Sequence, residues 1–262
     1  MSGTGAEQHY TFGDGEVAAL RLQALADTYG ESSATLLRRL GAVAGGAVDL
    51  GCGPGHTTEL VAEVLRPAWT IGLDRSACLV AAARARLPTL RFVEHDVTVA
   101  PFPTPPAAAI YSRFLLTHLP DPAAAVRTWA GALAAGGQLV LEETASLTSE
   151  HPAIQRYYDL VESLQAHYGQ RFDIGATLGE LVRAAGLEVV HAGVAVLMLP
   201  ARRMATLHAL NLRTWGADPF ARERFDQAEL SRLAAILGRI ASGEEPAPPV
   251  RSAMGQAVGR RT

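Results

Sequence analysis

From Ala47 onward the sequence alternates short apolar runs with alanine- and leucine-rich stretches, and few architectures accommodate that alternation. The apolar runs fall at residues 47–50, 69–73, 90–94, 107–111 and 137–141. Each is too short for a stable helix and reads as a strand. Between them, residues 57–65, 77–86 and 122–135 carry their apolar side chains at helical spacing. Strand–helix–strand units of these lengths predict parallel β-α-β connections, with helices on both faces of a doubly wound α/β sheet. An acid followed by proline at Asp121–Pro122 is expected to open the third of these helices, and Gly136–Gly137 to close it.

The flanking regions differ in character. A helix with several aromatic residues is expected over 152–168, a helix over 175–185 stopped by Gly186, and a long strand over 187–199. Residues 201–242 read as mostly helical with a break at 216–219, then a proline-rich loop at 243–249 and a last strand over 250–258. Residues 16–25 and 33–40 read as two helices without strand partners, so they are expected to cover the ligand-binding edge of the sheet. One domain over 1–262 is therefore expected. It has an N-terminal helical cap (1–45), a cofactor-binding core (46–143), helical cap or lid insertions (144–174 and 201–248), and the rest of the sheet at 175–200 and 249–262. With 262 residues there is enough chain for a substantial core.

Charge narrows the choice of partners. The net charge is −3, which leaves no electrostatic footprint for nucleic acid. No apolar run approaches the ~18 residues that would span a bilayer, so no membrane association is expected. The polar N-terminus has no signal pattern. Two isolated cysteines, Cys52 and Cys78, make neither a disulfide framework nor a zinc site, which points to a reducing, cytoplasmic setting. No metal is expected, because no pair of histidines shares ligand spacing with a carboxylate.

The first strand runs into V-D-L-G-C-G-P-G-H-T-T at 48–58, an acid followed by three closely spaced glycines and then a helix. Such a turn presents backbone N–H groups and lets a ligand approach the main chain. By itself it fits any nucleotide. The dinucleotide fingerprint G-x-G-x-x-G would place its third glycine at position 56, which is His56; here it comes one residue early, at Gly55. A phosphate-binding P-loop is excluded by the absence of lysine anywhere in the chain. Asp74 ends the second strand about twenty residues later, where an acid can accept from both hydroxyls of a ribose. Asp96 with the Val97 N–H, after the third strand, can pair the amine and a ring nitrogen of an adenine.

In order and spacing, these segments resemble the motifs of the class I S-adenosylmethionine-dependent methyltransferases. V-D-L-G-C-G-P-G at 48–55 resembles the first motif, I-G-L-D at 71–74 the second and E-H-D-V at 94–97 the third. A-I-Y-S-R-F-L-L-T-H-L at 109–119 resembles the segment after the fourth strand in the small-molecule branch of that family. A-G-G-Q-L-V-L-E-E at 135–143 is similar to its fifth-strand motif. Y-T-F-G at 10–13 followed by R-L-Q-A at 21–24 resembles the N-terminal helix of a bacterial subset. The likeness is strongest over 46–143 and looser at the strand from Leu187 and at 255–260.

The resemblance implies a Rossmann-like sheet with a seventh, antiparallel strand, and it implies S-adenosylmethionine as cofactor, with S-adenosylhomocysteine as product. By position, Gly51 and Gly53, with Cys52 between them, would face its methionine and ribose portions, and Asp49 would anchor the turn near the amino group. Asp74, with Arg75 beside it, would hold the ribose, and Asp96 and Val97 the adenine. Ser112 and Arg113 would line the methionyl side, and Tyr10 and Gln23 would reach the cofactor from the N-terminal helix. Ser112-Arg113-Phe114 stands where nucleobase and protein-amide methylators carry asparagine-proline-proline-aromatic, so nucleic-acid and glutamine acceptors are not expected. What remains is O- or N-methylation of a small molecule, with a homodimer possible.

His118 follows the fourth strand and is the candidate catalytic base for a hydroxyl acceptor, weighed against a plain polar role at a helix start. Its titration is expected near pH 6.5. His208, like His151, His167 and His191, reads as a surface or core histidine, and Tyr157 and Tyr158 as either pocket wall or cap packing. Two rivals stay open: an enzyme of the same fold doing cyclisation or decarboxylation, and a non-catalytic cofactor-binding partner.

Overall fold

The structure, a computed structural model, describes residues 16–262, with side chains from Leu20 onward. Its centre is a seven-stranded sheet in the order β3-β2-β1-β4-β5-β7-β6. The strands are β1 (Gly46–Leu50), β2 (Trp69–Asp74), β3 (Arg91–Glu94), β4 (Ala107–Arg113), β5 (Leu133–Thr148), β6 (Glu188–Leu199) and β7 (Val250–Arg260). β1 to β5 pair in parallel, and β7 runs antiparallel between β5 and β6. All five residues of β1 are buried, as expected for the central strand of a sheet covered on both faces. Strand order reverses between β1 and β4. The crevice beyond the carboxyl ends of the strands at such a switch point is where open α/β sheets bind ligands.

Two layers of helix cover the sheet. Helices α1 (Glu16–Arg38) and α2 (His56–Leu65) pack on the face carrying Ala47, Ala109, Tyr111 and Val140. Helices α4 (Pro122–Gly131) and α6 (Leu178–Ala184) pack on the opposite face, around Val48, Ile110, Leu139 and Leu141. Helix α3 (Ala77–Arg86) closes the β3 end against Phe92 and Cys52.

Several boundaries differ from expectation, among them that of β5, which runs on to Thr148 beyond the expected 137–141. The two helices expected before β1 are one continuous helix, α1. Gly30 interrupts the sequence pattern, at a cost of about 1 kcal/mol in a helix interior. Burial of Tyr29, Ala34, Leu36 and Leu37 along the same face offsets it. Helix α4 ends at Gly131 rather than at Gly136, because the chain turns at once into β5, whose Leu133 already pairs with Ala107. Gly136–Gly137 instead occupies the irregular step in that ladder. A Cβ on Gly137 would lie 2.7 Å from the Ala107 carbonyl oxygen, so only glycine fits between the two backbones.

The remaining helices stand over the carboxyl edge. They are α5 (Pro152–His167), α7 (Ala201–Trp215), α8 (Pro219–Arg224) and α9 (Gln227–Ser242). With Tyr29 of α1 they share one apolar cluster that includes Tyr157, Leu164, Trp215 and Leu237. Asp218 and Asp226 cap α8 and α9, the first accepting from the Phe220 and Ala221 N–H groups and the second from the Ala228 N–H. Among the described residues, no helix is long and apolar enough to cross a membrane.

Candidate active site

At the end of β1 the chain makes a turn that only glycine tolerates. Gly51, Gly53 and Gly55 all have positive φ, at 66°, 51° and 86°. A Cβ on Gly51 would come within 2.9 Å of Leu115, so the turn is packed against the segment after β4. The N–H groups of Gly51 and Cys52 both donate to the Leu73 carbonyl of β2. Asp74 completes the brace, accepting from the Gly53 N–H at 2.8 Å and the Ser76 N–H at 2.9 Å. Burial pushes its carboxyl above the usual range, against the pull of those two bonds.

Asp49 lies beneath the turn, 1% exposed. Its Oδ2 accepts from the Thr57 and Thr58 hydroxyls at 2.6 and 2.7 Å, which ties the first turn of α2 to β1. Burial raises its pKa to about 6. Cys52 is buried, and its thiol is pushed well above its ordinary value by burial and then by the charges of Asp49 and Asp74. A protonated thiol is no nucleophile, so Cys52 serves the turn as a small residue. Asp96 is exposed, with both Thr98 bonds falling on Oδ1. Partial burial raises its pKa, but the Thr98 bonds outweigh it and hold the carboxyl below the usual range. Trp129 Nε1 donates to the Val97 carbonyl at 2.8 Å and fixes that peptide.

The end of β4 is strained. Phe114 has φ 54°, a conformation that bulky residues rarely adopt and that clusters at functional sites. Glu143, 1% exposed, accepts from the Leu115 and Leu116 N–H groups at 2.7 and 2.6 Å and holds the strained segment in place. Burial lifts the Glu143 pKa to about 8. Arg113 donates to the Ser33 hydroxyl of α1 at 2.9 Å, and its guanidinium sits 5.8 Å from the Phe114 ring centroid.

The glycine turn, Asp74, Asp96, Val97, Arg113 and Phe114 open into one cavity of about 570 Å³, which continues to a chamber beneath α5 and α7. Helix α5 contributes Tyr157, Tyr158, Val161 and Gln165 from one stripe. Helix α7 contributes Met204, Leu207, His208 and Asn211, spaced i, i+3, i+4, i+7. The His208 ring stacks on Tyr157 with centroids 4.3 Å apart, and its Nε2 is 2.9 Å from the Tyr158 hydroxyl. Burial lowers the His208 pKa to about 3, so the ring is neutral.

Of the residues expected from sequence, Gly51, Cys52, Gly53, Asp74, Arg75, Asp96, Val97, Arg113 and His118 all line this cavity. Asp49 and Ser112 do not: both are buried, Asp49 under the turn and Ser112 within β4. Gln23 is exposed and donates to Asp27 at 2.8 Å, away from the cavity. From the same R-L-Q-A segment, Arg21 and Leu22 face the cavity instead. Tyr10 lies outside the described residues. His118 faces the cavity, but its pKa falls to about 3 through burial and the Arg21 charge, despite a hydrogen bond with Gln170. The titration expected near pH 6.5 is therefore displaced downward. His208, Asn211 and Gln165 were not singled out as site residues. Their only sequence signal is polar residues on the apolar stripe of a helix.

A family model for the methyltransferase domain matches residues 25–192, more than half of the chain. The chain belongs to that methyltransferase family. Among curated relatives, trans-aconitate 2-methyltransferase of Methylobacterium radiotolerans is 40% identical over 112 residues, 42% of each chain. The corresponding enzyme of Azoarcus sp. (strain BH72) is 30% identical over 171 residues, 53% of this chain and 67% of the relative. The chain thus spans about two-fifths of the length of the first of these relatives. Solved structures share the fold. A methyltransferase-like protein of Bacillus halodurans C-125 superposes with TM-score 0.60 at 16% identity, covering 88% of this chain and 100% of the other. The cyclase SpnF gives 0.55 at 18% identity, covering 88% and 80%. Phosphoethanolamine N-methyltransferase 2 of Haemonchus contortus, solved with S-adenosylhomocysteine, gives 0.52 at 13% identity, covering 84% and 49%.

Proposed function

We propose that the protein is an S-adenosylmethionine-dependent methyltransferase acting on oxygen or nitrogen of a small-molecule acceptor. The observation that carries this is the single cavity joining a glycine turn and two strand-end carboxylates to a chamber under the helical cap. One end suits an adenosyl group: its carboxylates accept from hydroxyls and an amine, and its glycines leave room for close approach. Asp74 would hold the ribose, Asp96 Oδ2 and the Val97 N–H the adenine, and Gly51 to Gly53 the methionyl–ribose junction. Arg21, 4% exposed, and Arg113 supply positive charge toward the methionyl carboxylate. The other end suits the acceptor.

When bound, the cofactor supplies an electrophilic methyl group on a sulfonium. The chain's own contribution is positioning, which can supply up to about 7–11 kcal/mol of barrier lowering. The cap would exclude water from the junction. His118, neutral at working pH, can accept a hydrogen bond from a hydroxyl acceptor and orient it, while its low pKa makes it a weak proton acceptor. The curated relatives methylate trans-aconitate by name, and their partial overlap with this chain supports the reaction class more than that acceptor.

Thermal denaturation with added ligands tests the proposal. At about a hundred times Kd, S-adenosylmethionine and S-adenosylhomocysteine should each raise Tm by about 5–10 °C, and NAD and ATP should not. A shift from NAD with none from the adenosyl compounds would overturn the assignment. Release of S-adenosylhomocysteine in the presence of an acceptor separates methyl transfer from other chemistry on the same fold.

A further inference from the structure

The α5 and α7 walls of the chamber carry no permanent charge among the described residues. Tyr157, Tyr158 and Val161 form one wall, and Met204 and Leu207 the other. Arg21 of α1 also lines the cavity and its charge is felt at Tyr157 and His118, where the methionyl carboxylate proposed above would balance it. No carboxylate or arginine of α5 or α7 faces the chamber among the described residues.

Within this apolar lining lie three polar side chains at least nine-tenths buried: Gln165 at 4%, His208 at 2% and Asn211 at 9% exposure. Gln165 Oε1, His208 Nδ1 and Asn211 Oδ1 have no hydrogen-bond partner. A buried polar atom left unpaired is costly, so three on the wall of one cavity need an explanation. Chain packing does not supply one: His208 pairs through Nε2 with Tyr158 and Asn211 pairs with Tyr157, yet these three atoms stay unpaired on residues that line the cavity. A bound molecule carrying donors would satisfy them.

We propose that this chamber takes an uncharged, largely apolar acceptor bearing hydroxyl or N–H groups, held by Gln165, His208 and Asn211. The proposal rests on the protein being a methyltransferase and names its acceptor class. A polycarboxylate would be a poor occupant. Its charges would lose their hydration against tyrosine, valine and methionine and find no cation on α5 or α7 to pair them. A phenol or alcohol on an apolar frame gains both from burial of its frame and from pairing of its donors. The neutrality of His208, held there by burial, agrees with this.

The test uses the full chain saturated with S-adenosylhomocysteine, titrated calorimetrically with two neutral phenols, naphthol and umbelliferone, and with two tricarboxylates, citrate and trans-aconitate. At least one phenol should bind and the tricarboxylates should not. In Gln165→Leu and Asn211→Leu, the phenol's affinity should fall about tenfold or more. Affinity for S-adenosylhomocysteine should stay within about twofold. Gln165→Leu should also melt at or above the wild-type temperature, since it removes an unpaired buried acceptor. A purely structural role would lower the melting temperature and leave phenol binding alone. Tricarboxylate binding without phenol binding, or unchanged phenol affinity in both variants, would overturn the proposal. Loss of S-adenosylhomocysteine binding by the wild-type chain would instead sink the methyltransferase assignment itself.

Discussion

The two ends of the cavity are built on different principles. At the glycine turn the recognition groups are chiefly backbone N–H groups after β1 and carboxylates after β2 and β3, in one continuous stretch before residue 98. Under the cap they are side chains on helices from separate parts of the chain, arranged around Tyr157, His208 and Trp215. Sheet register fixes the first end, so a change in a cap residue should leave it intact. Helix packing fixes the second, so its shape and polarity can vary while the fold stays the same. A common reagent would be held by the first end and the individual acceptor by the second.

The sharpest way to break this division is Trp215→Ala. Trp215 is fully buried in the cap cluster, and its Nε1 reaches the Tyr157 hydroxyl at 3.4 Å. Removing a buried tryptophan costs about 3–5 kcal/mol of stability. Denaturant titration should show that loss, and phenol binding should disappear with it. S-adenosylhomocysteine affinity of the folded variant should change by less than about threefold, corresponding to about 0.7 kcal/mol. If cofactor affinity collapses in step, the two ends are one cooperative unit and the division fails.

A smaller effect sharpens the comparison through pH. His208 has a pKa of about 3 in the fold against 6.5 in the free side chain, so between those values the unfolded chain binds the extra proton. Its neutral burial therefore favours folding less and less as pH drops below 6.5, by about 2 kcal/mol at pH 5. Asp49 near 6 and Glu143 near 8 act in the opposite sense, since their raised values cost stability as pH rises. The wild-type curve alone mixes these. His208→Phe should flatten the loss of Tm between pH 7 and pH 5, and an unchanged slope would mean that the His208 ring is not held neutral.

How much of this was legible in the sequence follows the same division. The alternation from Ala47 predicts the parallel sheet, and the spacing of Gly51, Gly53, Asp74 and Asp96 predicts one end of the cavity, because strand ends and tight turns leave local marks. Asp49 and Ser112 share those motifs yet face inward, since side chains alternate along a strand and the motif does not say which face the ligand takes. Gln23 and Arg21 sit two positions apart on a helix, on different faces, and nothing local says which face meets the sheet. The cap chamber was the least legible part. Tyr157 and His208 are distant in sequence and meet only after α5 and α7 have packed, so His208 read as an ordinary core residue. Gly30 and Gly136–Gly137 misled for a related reason: tertiary burial carried α1 through the first, and a close strand approach claimed the second.

The central claim, that an adenosyl group is held at the strand ends by Asp74, is tested most directly by calorimetric titration of S-adenosylhomocysteine into Asp74→Ala and the wild type. In the wild type the carboxylate braces the turn through the Gly53 and Ser76 N–H groups and keeps lone pairs that would accept from the proposed ribose hydroxyls. The alanine variant should keep its far-ultraviolet circular dichroism and lose about 1–3 kcal/mol of binding, roughly a tenfold to hundredfold weakening. Asp74→Asn, which keeps one acceptor, should fall between the two. Wild-type affinity in a folded Asp74→Ala would contradict the account and place the ribose elsewhere.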